Sequence, residues 1–549
     1  IYYNIMFVLK LTLDYFMKNK LKVILYFLII AFTYPFESLV ISKNISRLSQ
    51  AIPKFNKQKS LVIRLIIYSC IFWSVIKIAN IAKHYIEDYI YPQFYLSIRK
   101  FMYDNILTRY REDYKEISIG DVLTNIIFIP RAIKQTVTSI VTALVPSILT
   151  ILVINGYFFT KSYKLFLLAF SSPIIALLIY LVFGRKCVEK SRTRDIFFSN
   201  MNEEIKDKLS NLFSIYVNNN IDQEIVDYDI LEKTYLDIDL ETQNCNNLLF
   251  ALLNGSAIVF YVALLVLLFV LRNNKEINSE TFVTCLVMLT YYFIFINSFA
   301  RELPYLNTNI GQLINAETFF KEITKKNQEN DPQMKNKITK GDININDVSF
   351  KYKGGDKNIL NNVSFKIKAL ENIAVFGKSG SGKTTLIKLL MGFHRINSGS
   401  ITIDSTDIYK YNVGYLRNNI SYVNQNTQLF NSTILENIKY GLDITDEKIY
   451  AFVKKYNINV FDTLTHGLKT KVGVNGNLIS GGQRQSVLLI KAFLKSSRFY
   501  ILDEPTTGLD GKLKNQVLKL IKDLSKDKTV IIISHDNDIK KIVNRVVHF

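Results

Sequence analysis

NIAVFGKSGSGKTTLIKLL, residues 372–390, decides how the second half of this chain folds. A short apolar run leads into a glycine-rich loop, and the loop leads into an amphipathic stretch, so the segment reads as strand, turn and helix. The loop GKSGSGKT, 377–384, matches G-x-x-x-x-G-K-[ST]. Its glycines let backbone N–H groups wrap phosphate oxygens, and the helix N-terminus that follows adds a favourable dipole. Gly377, Ser379, Gly380, Ser381 and Gly382 are thus the expected cradle, with Lys383 reaching the β and γ phosphates. Thr384 is the expected Mg2+ ligand, and Thr385 follows it at the binding loop.

The other half of the chemistry is FYILDEPT, 499–506. Four apolar residues predict a buried strand that delivers Asp503 to its end, where it holds Mg2+ directly or through water. Glu504 comes next and is placed to polarise an attacking water as general base. These motifs lie in an α/β domain expected over 342–549, where short apolar runs alternate with glycine turns and amphipathic helices. A polar stretch, KEITKKNQENDPQMKNKITK, precedes it and marks a linker over 321–341.

Upstream the composition changes. The chain has 549 residues, 49% of them hydrophobic, and the apolar ones concentrate in the first 300. Six stretches reach the roughly 20 residues a bilayer-crossing helix needs: about Leu21–Ile41, Leu61–Ala82, Thr136–Phe159, Leu165–Phe183, Leu248–Leu271 and Phe282–Ala300. The last four contain no charged residue, whereas Lys22, Glu37, Arg64 and Lys77 fall in or near the first two. A transmembrane bundle is expected over 1–320, with Ile5–Met17 lying at the interface before the first span.

The loops alternate in length. Thr160–Lys164 and Arg272–Thr281 are short, while Lys83–Gln135 and Gly184–Asn247 are long, helix-like and rich in basic residues. By the positive-inside rule the long loops and both termini face the cytosol. The Ser42–Ser60 loop, with Lys43, Arg47, Lys54, Lys57 and Lys59, goes against that rule. Nothing resembles a cleaved signal peptide, and the sequence opens on Ile1.

Read onward from Gly377, the order of phosphate loop, Gln425 in SYVNQNTQLF, ISGGQ at 479–483, LDEPTTGLD and IIISHD resembles the ATP-binding cassette family. With six spans ahead of it, the chain resembles a half-transporter of the lipid, peptide and multidrug exporter type. The resemblance implies a helical bundle with long cytosolic extensions fused to a P-loop domain, and ATP and Mg2+ as ligands. It implies that Ser480, Gly481, Gly482 and Gln483 close over ATP held by a partner domain, so that two chains complete two sites. It further implies that Tyr352 stacks on adenine, Gln425 senses Mg2+ and the water, Asp510 communicates across the dimer and His535 contacts the γ-phosphate. Short transverse helices are expected around Asn105–Gly120 and Ser210–Asp222.

The sequence departs from the family at Ile479, usually Leu, and at Val474 in TKVGVNG, where an acidic residue is usual. It also stops at Phe549, soon after His535, which reads as a minimal or truncated domain.

A net charge of +21 does not indicate nucleic acid: lysine usage runs through the whole chain, without arginine–aromatic interleaving. Cys70, Cys187, Cys245 and Cys285 are scattered, with no CxxC pair, and read as packing residues rather than metal ligands or disulfides. The expected activity is ATP-driven export of an amphipathic cargo (lipid, peptide or drug-like) from a plasma or inner membrane. The partner is a second copy or a related half-transporter. An ATP-gated channel or membrane regulator is the alternative. Glu37, Arg64, Lys77, Asn254 and Asn297 are the candidate cargo contacts.

Overall fold

The computed structural model describes residues 2–109, 119–324, 337–352, 355–378, 380–424, 427–524 and 526–549. The chain divides into two compact units, a helical one made of Ile1–Thr108 with Glu116–Lys325 and a second that takes in Lys326–Phe549.

The helical unit contains α1 (Tyr2–Lys18), α2 (Lys20–Ala51), α3 (Phe55–Arg109), α4 (Ile119–Ser139), α5 (Val145–Lys161), α6 (Tyr163–Ser210), α7 (Leu212–Val217), α8 (Ile221–Asn273) and α9 (Ser279–Thr324). Among the described residues five helical stretches are long and apolar enough to cross a membrane. The first, Lys20–Arg109, contains α2 and α3 and so holds both of the N-terminal stretches expected to span. The outward face of the longer helices stays apolar, as a lipid-facing surface must: Val182 on α6 and Val259 on α8 are 69% and 67% exposed. The inner core packs Ile154 and Phe158 of α5 against Leu165, Leu264, Met288 and Tyr292 from α6, α8 and α9. Buried hydroxyls satisfy themselves locally, Ser38 donating to Pro35 O (2.8 Å) and Thr284 to Glu280 O (2.8 Å).

Three expectations need correction or refinement. Ser42–Ser60 is no loop: α2 continues to Ala51 and a single 3-10 turn, Ile52–Lys54, passes the chain to α3. Its charged residues Lys43, Arg47, Lys54, Lys57 and Lys59 are exposed, while the small polar residues Ser42, Asn44 and Ser46 are buried on the other face of α2. Thr136–Phe159 is not one α-helix, because a π turn at Ile140–Leu144 separates α4 from α5 ahead of Pro146. Cys187 and Cys245 form a disulfide, with Cα atoms 5.5 Å apart, because antiparallel α6 and α8 bring together residues 58 apart in sequence. Cys285 is buried, as a packing residue would be, and Cys70 is exposed. The segment expected near Ser210–Asp222 contains the short helix α7, flanked by Asn211 and Asn218. Most of Asn105–Gly120, namely 110–118, lies outside the described residues, as does 325–336 of the expected linker.

The second unit contains strands β1 (Ile343–Phe350), β2 (Leu360–Ile367), β3 (Asn372–Phe376), β4 (Ser398–Ile403), β5 (Thr406–Asp407), β6 (Ile420–Val423), β7 (Phe499–Asp503), β8 (Thr529–Ile533) and β9 (Arg545–His548). Its helices are α10 (Lys383–Leu390), α11 (Val413–Asn418), α12 (Ile434–Lys439), α13 (Asp446–Lys455), α14 (Gly481–Leu494) and α15 (Gly511–Leu524). An antiparallel sheet runs β2-β1-β4-β5 and a parallel one β6-β7-β8-β3-β9. Strands β3, β7 and β8 are buried at every position, which is why they read as unbroken apolar runs. The parallel order sets the ends of β3 and β7 either side of β8, so the phosphate loop and the Asp503–Glu504 pair emerge at one edge.

The entry to this unit is tied by one carboxylate. Asp404 accepts from the backbone N–H groups of Thr339 (2.6 Å), Lys340 (3.0 Å), Gly341 (2.7 Å) and Asp342 (3.0 Å). Burial alone would raise its pKa, but these bonds outweigh it and hold the carboxyl below its ordinary value. A depressed folded pKa contributes stability above the unfolded value, near 3.9, and loses it as pH falls through the folded one. Asp404→Asn is expected to destabilise the unit by roughly 1–2 kcal/mol at neutral pH, at the low end because solvent reaches the group. In thermal unfolding of the full chain, the gap between variant and wild type should narrow as the pH is taken below 4.

Candidate functional site

The phosphate loop is shaped by two left-handed glycines, Gly380 at φ 80° and Gly382 at φ 94°. A Cβ on Gly382 would meet Leu360 Cδ2 at 2.5 Å, so both conformation and space demand glycine there. Gly382 caps α10, and Lys383, buried in its first turn, donates to Gly377 O and Lys378 O, both at 2.8 Å. The ammonium thus rests on the acceptors of its own loop, in reach of whatever the loop encloses. Ser381 Oγ is buried without a hydrogen-bond partner. Thr384 Oγ1 donates to Asp503 Oδ2 at 3.2 Å, joining the start of α10 to the end of β7. The Tyr352 hydroxyl lies 3.2 Å from Thr385 Oγ1, and the Tyr352 ring meets Phe350 and His394 edge-on.

The adjacent carboxylates have different surroundings. Asp503 is 7% exposed, and burial, followed by repulsion from Glu504, pushes its pKa up against the opposing pull of the Thr384 bond and Lys383. Glu504 sits at φ 51°, a left-handed conformation that a non-glycine residue seldom adopts, fixed here by its N–H donating to Ile533 O at 2.9 Å. Thr507 Oγ1 (3.1 Å) and Ser534 Oγ (3.3 Å) both donate to Oε2, while Oε1 lies 3.8 Å from His535 Nε2. One carboxylate therefore faces the phosphate loop, and the other stands beside the histidine with an oxygen left over.

Ser480 opens α14 through a reciprocal capping box: its Oγ accepts from Gln483 N (3.2 Å) and its N–H donates to Gln483 Oε1 (2.9 Å). Gln483 also donates to Val460 O, so its side chain holds the loop in place. Gly481 has open space where a Cβ would stand, and Gly482 lies near Gly508 O and Leu509. Asp510 caps α15 by accepting from Leu513 N at 2.8 Å. Among the described residues no hydrogen bond or ion pair joins Ser480–Gln483 to Gly377–Thr385. Ser379 and Gln425 lie outside the described residues.

Some neighbours carry no motif. Tyr422 lies on β6 beside β7 with its hydroxyl enclosed next to Asp503, and burial together with that carboxylate pushes its pKa up. Strand alternation, with Ser421 and Val423 on the other face, was the available signal. Ser534 stands immediately before His535 and was passed over for it. In the helical unit, buried Lys83 with partly buried Glu87 (3.6 Å), bonded to Tyr34 and Tyr26, is a stronger internal charge site than Arg64 or Lys77, which are exposed. Glu37 accepts from Trp73 Nε1 at 3.2 Å, Asn254 donates to Phe250 O, and Asn297 Oδ1 is buried without a partner.

The donor set suits Mg2+ and a nucleoside triphosphate: a hydroxyl and a carboxylate converge as hard oxygen ligands beside a lysine and left-handed glycines. Such a strand–loop–helix site behind a long apolar helical bundle defines a membrane protein with a fused P-loop domain. A family model described as the ABC transporter transmembrane region matches residues 21–296, and one described as ABC transporter matches 360–507. The chain belongs to the ABC transporter family. It is 30% identical over 420 residues to the Arabidopsis thaliana ABC transporter B family member 24, mitochondrial, covering 74% of this chain and 60% of that protein. It is 37% identical over 223 residues to the ATP-dependent lipid A-core flippase of Vibrio parahaemolyticus, covering 40% of this chain and 38% of the flippase. It is 28% identical to a putative export ATP-binding/permease protein of Rickettsia felis, over 86% and 82% of the two chains. The match thus spans under two thirds of the first two relatives. The fold matches the structure of a bacterial Atm1-family ABC exporter with ATP bound, with a TM-score of 0.80 over 96% of this chain and 94% of that one, at 17% identity.

Proposed function

We propose that the chain is one half of an ATP-driven exporter that works as a dimer with a second copy or a related half-transporter. The observation that carries this reading is the division of the site. Asp503 and Thr384 pair at the phosphate loop, Glu504 turns to His535, and the signature residues Ser480–Gln483 bond elsewhere. Among the described residues the signature loop makes no bond to its own phosphate cradle, which leaves it free to serve the cradle of another chain.

On this reading Gly377–Thr385 hold the phosphates, Tyr352 offers its ring to adenine, and Lys383 exchanges its carbonyl partners for phosphate oxygens. Thr384 and Asp503, with Gln425, would hold Mg2+, which when bound offsets the negative charge of the phosphates. Glu504, its Oε2 fixed by two hydroxyls, takes a proton from the attacking water as general base, and His535 steadies the charge beside it. Ser480, Gly481 and Gly482 close the site from the partner chain, and Asp510 lies by them to couple the two. Closure drives transport only if ATP binds the closed dimer more tightly than the open state. The ATP-binding unit and both termini lie in the cytosol, the bundle crosses a plasma or inner membrane, and the cargo is amphipathic. A relative named as a lipid A-core flippase supports a lipid as the first cargo to try.

The test is Mg-ATP hydrolysis by the chain reconstituted in lipid nanodiscs, with and without candidate lipids, peptides and drugs. Steady hydrolysis that an amphipathic compound accelerates is the expected result. No hydrolysis by the wild-type chain alone in any lipid would remove the homodimeric pump from consideration and leave the pairing with a related half-transporter to be tested.

A further inference from the structure

Three helix–helix turns meet at one end of the bundle: Ile52–Lys54 between α2 and α3, Ser162 between α5 and α6, and the segment Asn274–Asn278 between α8 and α9. Contacts across them fix the grouping. Ser46 Oγ donates to Glu280 O at 2.6 Å, Arg47 pairs with Glu280 at 3.7 Å, and Lys164 pairs with Glu276 at 3.0 Å. Lys43 and Lys161, from different helices, both lie 5.6 Å from the centre of the Tyr157 ring. This is the end opposite the one where α9 finishes and the chain goes on to the ATP-binding unit.

The end is strongly basic. Residues 43–59, 161–164 and 272–280 carry nine lysines and arginines against two carboxylates, Glu276 and Glu280. A merely lysine-rich composition would mix carboxylates in at the ratio of the whole chain, 47 to 68. Both carboxylates are already engaged, and among the described residues no ion pair involves Lys43, Lys54, Lys57, Lys59, Lys161 or Lys275. Positive charge at this end also opposes the signal that orients the chain, so topology does not explain it. Among and beside the lysines, Phe55, Phe159, Tyr163 and Phe269 are 44–64% exposed, an aromatic border of the kind found at headgroup depth.

We infer that this end binds the phosphate headgroups of anionic phospholipid in the adjoining leaflet. The lysine stems lie along the apolar helix surface while the ammonium groups reach the headgroups. Two ammoniums sharing one tyrosine ring, with the nearby Glu280 already paired to Arg47, form a local excess that a lipid phosphate neutralises. On the orientation proposed above this is the outer leaflet; the lipid preference itself does not depend on that orientation or on the ATP site.

The chain has one tryptophan, so Trp73→Phe with Phe55→Trp places a single reporter among Lys54, Lys57 and Lys59. In phosphatidylcholine nanodiscs doped with equal small amounts of brominated lipid, contact quenching reports which headgroup collects there. Brominated phosphatidylglycerol should quench at least about twice as strongly as brominated phosphatidylcholine, and high salt should erase the difference. Adding Lys54→Gln, Lys57→Gln and Lys59→Gln should also erase it, while the matching Arg substitutions keep it. Lys43→Gln with Lys161→Gln should weaken it independently. All these variants should keep wild-type Mg-ATPase, which certifies the fold. Equal quenching by the two lipids in the lysine-intact reporter, or a preference that survives the Gln substitutions, would overturn the inference.

Discussion

Glu504→Gln should reduce Mg-ATP hydrolysis in nanodiscs by about 10²–10⁴-fold, the range removed with a general base, while leaving ATP binding near wild type. The amide keeps the size of the side chain and can still accept from Thr507 and Ser534 at its oxygen, so the left-handed turn and the site around it survive. What is lost is the negative oxygen beside His535 able to take a proton. Because Thr384, Asp503 and Lys383 are untouched, bound ATP should persist and hold the dimer closed. Retained hydrolysis would move the base elsewhere; Asp503 is poorly placed for that role because it already engages Thr384.

Lys383→Ala should act on the ground state instead. The buried ammonium rests on two carbonyls at 2.8 Å, and on the proposed reading it trades them for phosphate oxygens in a charge-assisted contact when ATP binds. Removing a charged hydrogen-bonding partner costs about 1.5–3 kcal/mol, so the dissociation constant for ATP should rise by roughly 10–100-fold. Titration with a fluorescent ATP analogue checks this. The two variants should therefore separate: Glu504→Gln binds without turning over, and Lys383→Ala fails at the binding step.

How much of this was legible beforehand follows the burial. Strands β3 and β7 are covered on both faces, so they appear in the sequence as uninterrupted apolar runs ending in glycines or in Asp503. The phosphate cradle is legible for a related reason, since left-handed φ at Gly380 and Gly382 leaves little choice of residue. Features that depend on how two helices register were not legible. The Cys187–Cys245 bond depends on antiparallel α6 and α8 aligning, and no local pattern encodes that. Lys83 and Glu87 look like the polar flank of a span until α2 brings Tyr34 and Tyr26 against them. The Ser42–Ser60 segment was misread as a loop because an amphipathic helix end and a polar loop share a composition; the tight turn at Ile52–Lys54 is what separates them. Tyr422 escaped because its place at the site comes from the neighbouring strand, through Asp503, rather than from a motif of its own.

The central claim is that each ATP site takes its phosphate loop from one chain and its signature loop from the other. Dimers purified through two different tags, all carrying Glu504→Gln so that ATP is retained, allow a direct count of ATP held per dimer after rapid gel filtration. In one preparation Lys383→Ala and Ser480→Arg sit on the same chain; in the other they are split between the chains. Shared sites predict that the split dimer keeps one intact site and retains about one ATP, whereas the same-chain dimer retains none. The reverse result, one ATP in the same-chain dimer and none in the split one, would mean that each chain completes its own site and would contradict the account.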